Sequence, residues 1–326
     1  MSHILIIGAG LSGLSAARQL TTLGHTVTIV DKGRGLGGRM ATRRFAGGVF
    51  DHGAQFFTVR SPQLKAELDE WQGQNVAAHW FDGFPTPDNR KPDDHHPRFR
   101  GASGMTGITK HLARGLDVHL NTEIVSLQRQ NGVWTAKTAS GQTFSGDKLL
   151  LTAPVPQSLA LLASSGETLP IDARETLETL SYEPCFALLV QLDEASAIPA
   201  PGLFYVEGEP IYWIADNFQK GISPVKGSVT IHSSSNFAKQ NYNDDEKHVA
   251  SLLLEAAKGY LGSEPKEWQL RRWRYSKPEN PLQIGALWIA ELNVCFAGDA
   301  LNGAKVEGAY LSGLEAAAIL TADERK

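Results

Sequence analysis

The chain has 326 residues, 42% of them hydrophobic and 20% charged, with a formal net charge of -4. This is an ordinary globular composition, long enough for two domains, with no charge bias toward nucleic acid or an anionic membrane. No apolar run reaches the roughly 18 residues that suggest a membrane span, the N-terminal apolar stretch lacks the charged flank of a signal peptide, and Cys185 and Cys295 sit in apolar surroundings as free thiols, so a reducing cytoplasm is the expected compartment.

Ile4-Leu5-Ile6-Ile7 reads as a short buried strand, and Gly8-Ala9-Gly10-Leu11-Ser12-Gly13 follows it directly. The pattern is G-x-G-x-x-G between a strand and a helix, where each glycine has a task. Gly8 permits the tight turn, Gly10 lets backbone approach a pyrophosphate, and Gly13 lets the helix pack close to the strand. The helix, read as Ser12 to Leu23, offers free N–H groups and its positive dipole end to phosphates. A second strand, Thr26 to Val30, ends at Asp31, the position expected to hold a ribose hydroxyl. The βαβ unit is complete, and a dinucleotide is expected there.

Gly33 to Arg43 is a glycine-rich loop carrying Gly37-Gly38-Arg39-Met40. Such a loop is no part of a plain nicotinamide-binding fold; its glycines allow close approach, and Arg39 can fork onto a phosphate. Val49 to Phe57 reads as a further strand. From Pro62 to Pro97 the chain mixes helix-like polar sequence with tryptophans and a Pro- and Asp-rich stretch, Pro85 to Pro97, expected to be an exposed insertion or lid. A helix runs from Gly104 to Ala113. Val118 to Leu120, Ile124 to Arg129, Val133 to Thr138 and Gln142 to Ser145 read as strands with turns at Asn131-Gly132 and Ser140-Gly141. A buried return strand, Leu149 to Ala153, stops at Pro154.

Residues 155–285 read as a separate module. Helices at Ala173–Leu180 and Asp245–Leu261 alternate with strands at Phe186–Gln191, Gly202–Val206, Ile211–Ala215, Ser228–His232 and Glu267–Arg274. The nucleotide fold resumes at Leu287–Ala297 and closes with Gly298-Asp299-Ala300 and a helix near Val306–Leu320. Asp299 at that strand end can accept from a ribityl hydroxyl, with a following helix N-terminus facing the cofactor; the bland alternative is a strand-end Asp that caps a turn. The fold class is therefore α/β: a Rossmann-like FAD-binding domain (1–60, 98–154 and 286–326) with an inserted α+β substrate domain (61–97 and 155–285) built on an antiparallel sheet.

On Gly8 to Gly13, Asp31-Lys32, Gly37-Gly38-Arg39-Met40, Gly53-Ala54-Gln55-Phe56, Val155-Pro156, Asp216-Asn217, Ile231-His232, Trp273-Arg274 and Gly298-Asp299, the chain resembles the renalase-type flavoproteins. These lie within the wider amine-oxidase and p-hydroxybenzoate-hydroxylase-like FAD superfamily. The resemblance implies non-covalent FAD and oxidation of the 2- and 6-dihydro isomers of NAD(P). A hydride passes to the flavin and electrons pass to dioxygen, giving NAD(P)+ and hydrogen peroxide. It implies cofactor contacts at Gly8, Gly10, Ser12, Gly13, Asp31, Lys32, Gly38, Arg39, Met40, Gln55, Phe56, Val125, Gly298, Asp299, Gly308 and Ala309, and it places Asn217 and His232 over the flavin ring.

Read without the family, His232 is better explained as a hydrogen-bonded core histidine, and Asn217 equally well as a turn residue. Hydride transfer to a flavin asks the protein for orientation rather than a triad. Arg98, Arg100, Lys220, Arg271, Arg272 and Arg274 are available for substrate phosphates; strand alternation puts Arg272 and Arg274 on one face and Arg271, Trp273 and Tyr275 on the other. No metal-ligand spacing appears, His95 and His96 being mere neighbours. The competing reading is a flavin amine oxidase or desaturase acting on an amine or apolar molecule. Such amine oxidases place a lysine near the flavin through a water, and no lysine here takes that role from sequence. A non-catalytic FAD protein and a hydroxylase-type monooxygenase remain as further alternatives.

Overall fold

The computed structural model describes residues 1–83, 95–206 and 208–322. β1 (His3–Ile7), α1 (Leu11–Thr22) and β2 (Thr26–Val30) form the expected βαβ unit, with β1 and β2 parallel. A 3-10 turn at Gly38–Met40 ends the glycine loop, and β3 (Thr42–Phe45) and β4 (Gly48–Asp51) make a hairpin. α2 (Pro62–Gly73), β5 (Ala77–Asp82), β6 (Pro97–Gly101) and α3 (Thr106–Leu112) follow. Residues 85–94 of the stretch read as a lid lie outside the described residues. After β7 (Asp117–His119) come β8 (Ile124–Gln130), β9 (Val133–Thr138) and β10 (Thr143–Gly146), the expected antiparallel meander, and β11 (Lys148–Leu151).

α4 (Val155–Ala163) and α5 (Ile171–Glu178) lead into β12 (Tyr182–Leu192), β13 (Leu203–Tyr205), β14 (Ile211–Asp216) and β15 (Ser228–Ser233). α6 (Ser235–Asn241) and α7 (Glu246–Leu261) precede β16 (Pro265–Pro278). β17 (Ala286–Ile289), β18 (Val294–Ala297), α8 (Asp299–Asn302) and α9 (Val306–Ala322) close the fold.

Three elements add to the sequence reading. Leu287–Ala297 is an antiparallel hairpin; Asn293, at φ 52°, takes the left-handed conformation that Asn tolerates at its turn. α4 begins on Val155-Pro156, in the first turn where a helix accepts proline. α6 has only seven residues and is held by Ser234 Oγ accepting from Phe237 N–H at 3.0 Å, too short for periodicity to mark.

The strands of the nucleotide unit assemble in the order β17-β18-β11-β1-β2-β7, parallel except for β17. β1 lies inside this sheet, and Ile4, Leu5 and Ile6 are wholly buried, as a parallel strand covered on both faces must be. Each such side chain contributes roughly 1.5–3 kcal/mol relative to exposure. Ile4 and Ile6 pack with Leu14 and Leu20 of α1 and Ala316 of α9; Leu5 packs with Trp134 and Ala136 of the meander. The second sheet has the order β13-β14-β15-β12-β16 and is antiparallel. Phe186, Leu188 and Val190 of β12 pack on Val249, Leu253 and Ala257 of α7. The other face of β12 and β15 meets β4 through polar side chains. No helix among the described residues is long and apolar enough to cross a membrane.

Candidate active site

One cleft of about 1760 Å3 runs from the glycine turn to the antiparallel sheet. Gly8, Asp31, Thr152 and Gly298, each next to or just beyond the C-terminal end of β1, β2, β11 or β18, line it. Open α/β sheets bind ligands outside these strand ends.

The glycine turn is shaped as its spacing requires. Gly8 has φ +119°, and a Cβ on it would sit 2.4 Å from Thr152 Oγ1. A Cβ on Gly13 would lie 2.1 Å from the Gly8 carbonyl oxygen, whereas one on Gly10 would meet nothing within 4 Å. Gly10 therefore faces open cleft, and Gly13 sits behind the turn and serves packing rather than contact. Asp31 lines the cleft and accepts from Ala9 N–H and Gly33 N–H, each at 2.6 Å. Ser12 Oγ, in the first turn of α1, is buried without a hydrogen-bond partner. An orphaned hydroxyl beside free helix N–H groups, facing a glycine-lined cradle, fits the phosphates of a dinucleotide.

Further along, Arg39 and Asp299 engage each other. Nη1 and Nη2 donate to Oδ2 and Oδ1, both at 2.7 Å, across 260 residues of sequence. Burial pulls the Arg39 pKa down, but the charge and hydrogen bonds of Asp299, with a smaller contribution from Tyr182, more than offset it, and the net direction is up. Sequence reasoning gave Arg39 a phosphate and Asp299 a ribityl hydroxyl; in the structure each is the other's partner, and both line the cleft. Lys32, Gly38, Met40, Val125, Gly298 and Ala309 line it as well. Gly308 does not: a Cβ there would sit 2.1 Å from the Gly303 carbonyl oxygen and 2.4 Å from that of Asn302, so its bareness lets α9 start against the preceding turn.

The far end of the cleft is aromatic. Gln55, Phe56, Tyr205, Tyr212, Trp213, His232 and Trp273 line it together. Phe56 packs on Trp213 with ring centroids 5.6 Å apart, and Tyr212 stacks on His232 at 6.4 Å and 14°. The His52 carbonyl accepts from Trp273 Nε1–H at 2.8 Å, and His232 Nε2, as the N–H tautomer, reaches the same oxygen at 3.3 Å. The His52 ring stacks on Trp273, centroids 5.3 Å apart, and its buried Nδ1 has no partner. Burial, with Lys220 adding repulsion and the His52 carbonyl opposing, brings His232 down to about 4. Burial, then the charges of Arg271, His232 and Arg43, brings His52 down to about 3. Both rings are neutral at physiological pH. Of the two residues expected over the flavin ring, His232 is in the cleft.

Asn217 is not. It is wholly buried; Nδ2 donates to the Ser228 carbonyl at 3.1 Å and Thr230 Oγ1 at 2.9 Å, while Oδ1 accepts from Asp51 N–H at 3.3 Å. Its amide ties the turn after β14 to β15 and β4, and nothing of it faces substrate. Lys220, offered by the sequence as a phosphate contact, is likewise buried. Its Nζ donates to Asp51 Oδ2 at 2.7 Å, both side chains being 0% exposed, and lies 4.7 Å from the Trp80 ring centroid. Burial sets the direction of its pKa, which is down, with Asp51 opposing. Asp51 Oδ1 also accepts from Thr42 Oγ1 and Met105 N–H, and the Asp51 carbonyl accepts from Gln55 Nε2 at 2.7 Å and Thr230 Oγ1 at 3.0 Å. This network joins the β3-β4 hairpin and the start of α3 to the antiparallel sheet, and sequence reasoning missed it; the one available signal was an acid ending a strand, Phe50-Asp51. Strand alternation in β16 was read correctly: Arg272 and Arg274 lie over the rings of Phe186 and Tyr242, while Trp273 meets His52 and Tyr275 meets Tyr182. Both cysteines are buried free thiols. Among the described residues no group of three His, Cys, Asp or Glu side chains could hold a metal.

A dinucleotide cradle on a parallel sheet, opening onto an aromatic chamber under an antiparallel sheet, defines an FAD-dependent oxidoreductase. Comparison with known proteins agrees. Residues 6–71 match the NAD(P)-binding Rossmann-like domain, and residues 77–321 match flavin containing amine oxidoreductase. The chain belongs to that flavin-containing amine oxidoreductase family, and its cofactor is FAD. It is similar to renalase of Mus musculus, 26% identical, with 98% of this chain and 99% of that protein covered. It is also similar to polyamine oxidase 4 of Oryza sativa subsp. japonica, 25% identical over 66% of this chain but only 47% of that protein. Cyclohexylamine oxidase from Brevibacterium oxydans IH-35A shares the fold with a TM-score of 0.75 at 12% identity, covering 100% of each chain. Putrescine oxidase bound to putrescine shares it at 0.72 and 14% identity, over 98% of this chain and 99% of that one.

Proposed function

We propose that the protein oxidises the 2- and 6-dihydro isomers of NAD(P), with hydride passing to FAD and electrons then to dioxygen, yielding NAD(P)+ and hydrogen peroxide. The observation that carries this reading is the similarity to renalase, which is coextensive with both chains. Bound FAD, held non-covalently, supplies the hydride acceptor. Ser12 and the turn at Gly10 would hold its phosphates, and Arg39 with Asp299 would border its middle. Gln55 and Phe56 would border the ring, and His232, on the aromatic wall with Tyr212 and Trp213, would orient the substrate. A neutral histidine and aromatic faces suit an uncharged, planar dihydronicotinamide and exclude water from the transfer. Residues 1–60, 98–154 and 286–326 form the cofactor domain on this reading, and 61–97 with 155–285 form the substrate domain.

The second reading, an amine oxidase or desaturase, draws on the family match and on the fold shared with putrescine oxidase. The test is anaerobic mixing of the flavin-loaded protein with borohydride-reduced NAD+, ordinary NADH and a panel of amines. Bleaching of the flavin absorbance by the isomer mixture alone is expected. Bleaching by amines alone transfers the assignment to the second reading.

A further inference from the structure

The consecutive carbonyls of Asp51, His52 and Gly53 collect the N–H donors of the chamber wall. Gln55 Nε2 donates to the Asp51 carbonyl at 2.7 Å and to the Gly53 carbonyl at 3.2 Å, so both of its hydrogens are taken. Two carbonyls around one atom also fix which end of the carboxamide is the nitrogen. The His52 carbonyl accepts from Trp273 Nε1–H at 2.8 Å and from His232 Nε2–H at 3.3 Å. An indole has no other polar hydrogen, and a neutral imidazole has only one.

What remains on Gln55 and His232 can only accept. Gln55 Oε1 has one long contact, 3.5 Å from Lys220 Nζ, and keeps a lone pair. Lys220 is itself fixed on Asp51 Oδ2 at 2.7 Å, so the Gln55 amide is braced at both ends. His232 Nδ1 makes no hydrogen bond among the described residues, and the ring is neutral because burial brings it down to about 4. Both side chains line the cleft, and each is only 6% exposed. The hydroxyls of Tyr205 and Tyr212, on the same cleft, can donate or accept and impose no polarity of their own.

We propose that Gln55 Oε1, with His232 Nδ1, selects the ligand at the aromatic end of the cleft by its N–H donors, and that the donor it reads is the carboxamide of the dihydronicotinamide. The inference deepens the dihydronicotinamide reading above and rests on it. It makes Gln55 a specificity-determining residue, with the Asp51 and Gly53 carbonyls and Lys220 as the groups that hold its polarity. A methyl ketone in place of the carboxamide has the same shape and no N–H, and it leaves a nearly buried acceptor without a partner.

The test titrates FAD-loaded protein with NAD+ and with its acetylpyridine analogue, in which a methyl replaces the amide nitrogen, and reads each Kd from the change in flavin absorbance. Wild type is expected to bind NAD+ about five-fold or more tightly than the analogue, the size of one net hydrogen bond. In Gln55→Met the preference is expected to fall to about two-fold or less, with flavin content and the ligand-free flavin spectrum unchanged. Comparing the ratio between the two proteins cancels what differs between the ligands themselves. Wild type that shows no preference for NAD+, or binds neither ligand, overturns the inference, and this arm decides even where Gln55→Met does not fold. A folded variant that keeps the wild-type preference overturns it too. A variant that loses FAD, or whose ligand-free spectrum shifts while the preference stays, assigns the acceptor to an N–H of the flavin ring and overturns it likewise. If NAD+ is preferred as expected but the dihydro isomers do not reduce the flavin, the acceptor assignment stands and the proposed reaction falls. If the borohydride-reduced forms of both dinucleotides reduce the flavin with equal KM, the reaction stands and the assignment falls.

Discussion

The Arg39 guanidinium and the Asp299 carboxylate meet fork to fork, two 2.7 Å hydrogen bonds linking the loop after β2 to the end of β18. The side chains are 27% and 13% exposed, so the pair is only partly shielded from water. Asp299→Ala strands Arg39 without its partner and removes a cleft oxygen. We expect a loss of about 2 kcal/mol in stability, between the values for exposed and buried pairs, and a marked drop in flavin per protein after dialysis. Retention of a full flavin complement by the variant would sink the cofactor role of Asp299.

Lys220 and Asp51 form a pair with no exposure at all. Lys220→Met leaves a buried carboxylate uncompensated, and the expected loss is about 3–5 kcal/mol. The double variant Lys220→Met with Asp51→Asn should be less damaged than the two single losses add up to, since each single change already breaks the pair. Urea unfolding of the four proteins measures the coupling; strict additivity would mean that the pair contributes nothing as a pair.

Asn217→Ala should behave as a stability variant. Its amide serves Ser228, Thr230 and Asp51 in a wholly buried place, so the expected cost is about 2–3 kcal/mol. Flavin reduction per folded, flavin-loaded molecule should stay near wild type in stopped-flow measurements. A specific slowing of reduction, with stability unchanged, would return Asn217 to the catalytic list.

His232→Ala should do the reverse, slowing anaerobic flavin reduction about ten-fold or more while FAD stays bound, the size expected when one positioning contact is removed. Because His232 stays neutral down to about 4, the wild-type reduction rate should show no histidine ionisation between roughly pH 6 and 8. Unchanged reduction in the variant would leave His232 a core histidine.

Acid stability follows from the same two rings. His52 and His232 have folded values of about 3 and about 4, below the unfolded value near 6.5. Between these limits the unfolded chain binds more protons than the folded one, so stability is full above about pH 6.5 and falls as pH drops toward 4. Each ring accounts for up to roughly 2 kcal/mol at pH 5. Melting temperatures from pH 7 to 5 should fall, and should fall less in His52→Gln. A wild-type Tm that does not move over this range would contradict the burial of the two rings.

How much of this was readable in advance depends on whether the deciding physics was local. The Gly8 to Gly13 turn was readable because its geometry is set by its own neighbours and by a strand and helix adjoining it. The β16 faces were readable because alternation needs no partner. Asn217 and Lys220 were misplaced for the opposite reason. Each is a polar residue in a turn, and only β4, carrying Asp51 from 166 and 169 residues away, turns that polar surface into an interior network. Arg39 and Asp299 were correctly brought to one cleft, but their mutual pairing depends on the separation between two strand ends, which no spacing in the sequence encodes. Gly308 was read as a contact because its motif is, whereas the carbonyls of Gly303 and Asn302 account for it.

The sheet order has a consequence for the growing chain. β18 lies against β11, which lies against β1, so the inner strands of the nucleotide unit are His3–Ile7, Thr26–Val30, Lys148–Leu151 and Val294–Ala297. A ribosome that has released β1, α1 and β2 has exposed the phosphate turn but none of the wall that Asp299 supplies. The antiparallel sheet is encoded wholly between β11 and β18, and its strand β12 pairs only with β15 and β16, which are translated later. On the proposed role of Asp299 in holding FAD, a chain stopped before residue 299 lacks one wall of the cleft, and flavin capture waits for nearly the whole of synthesis.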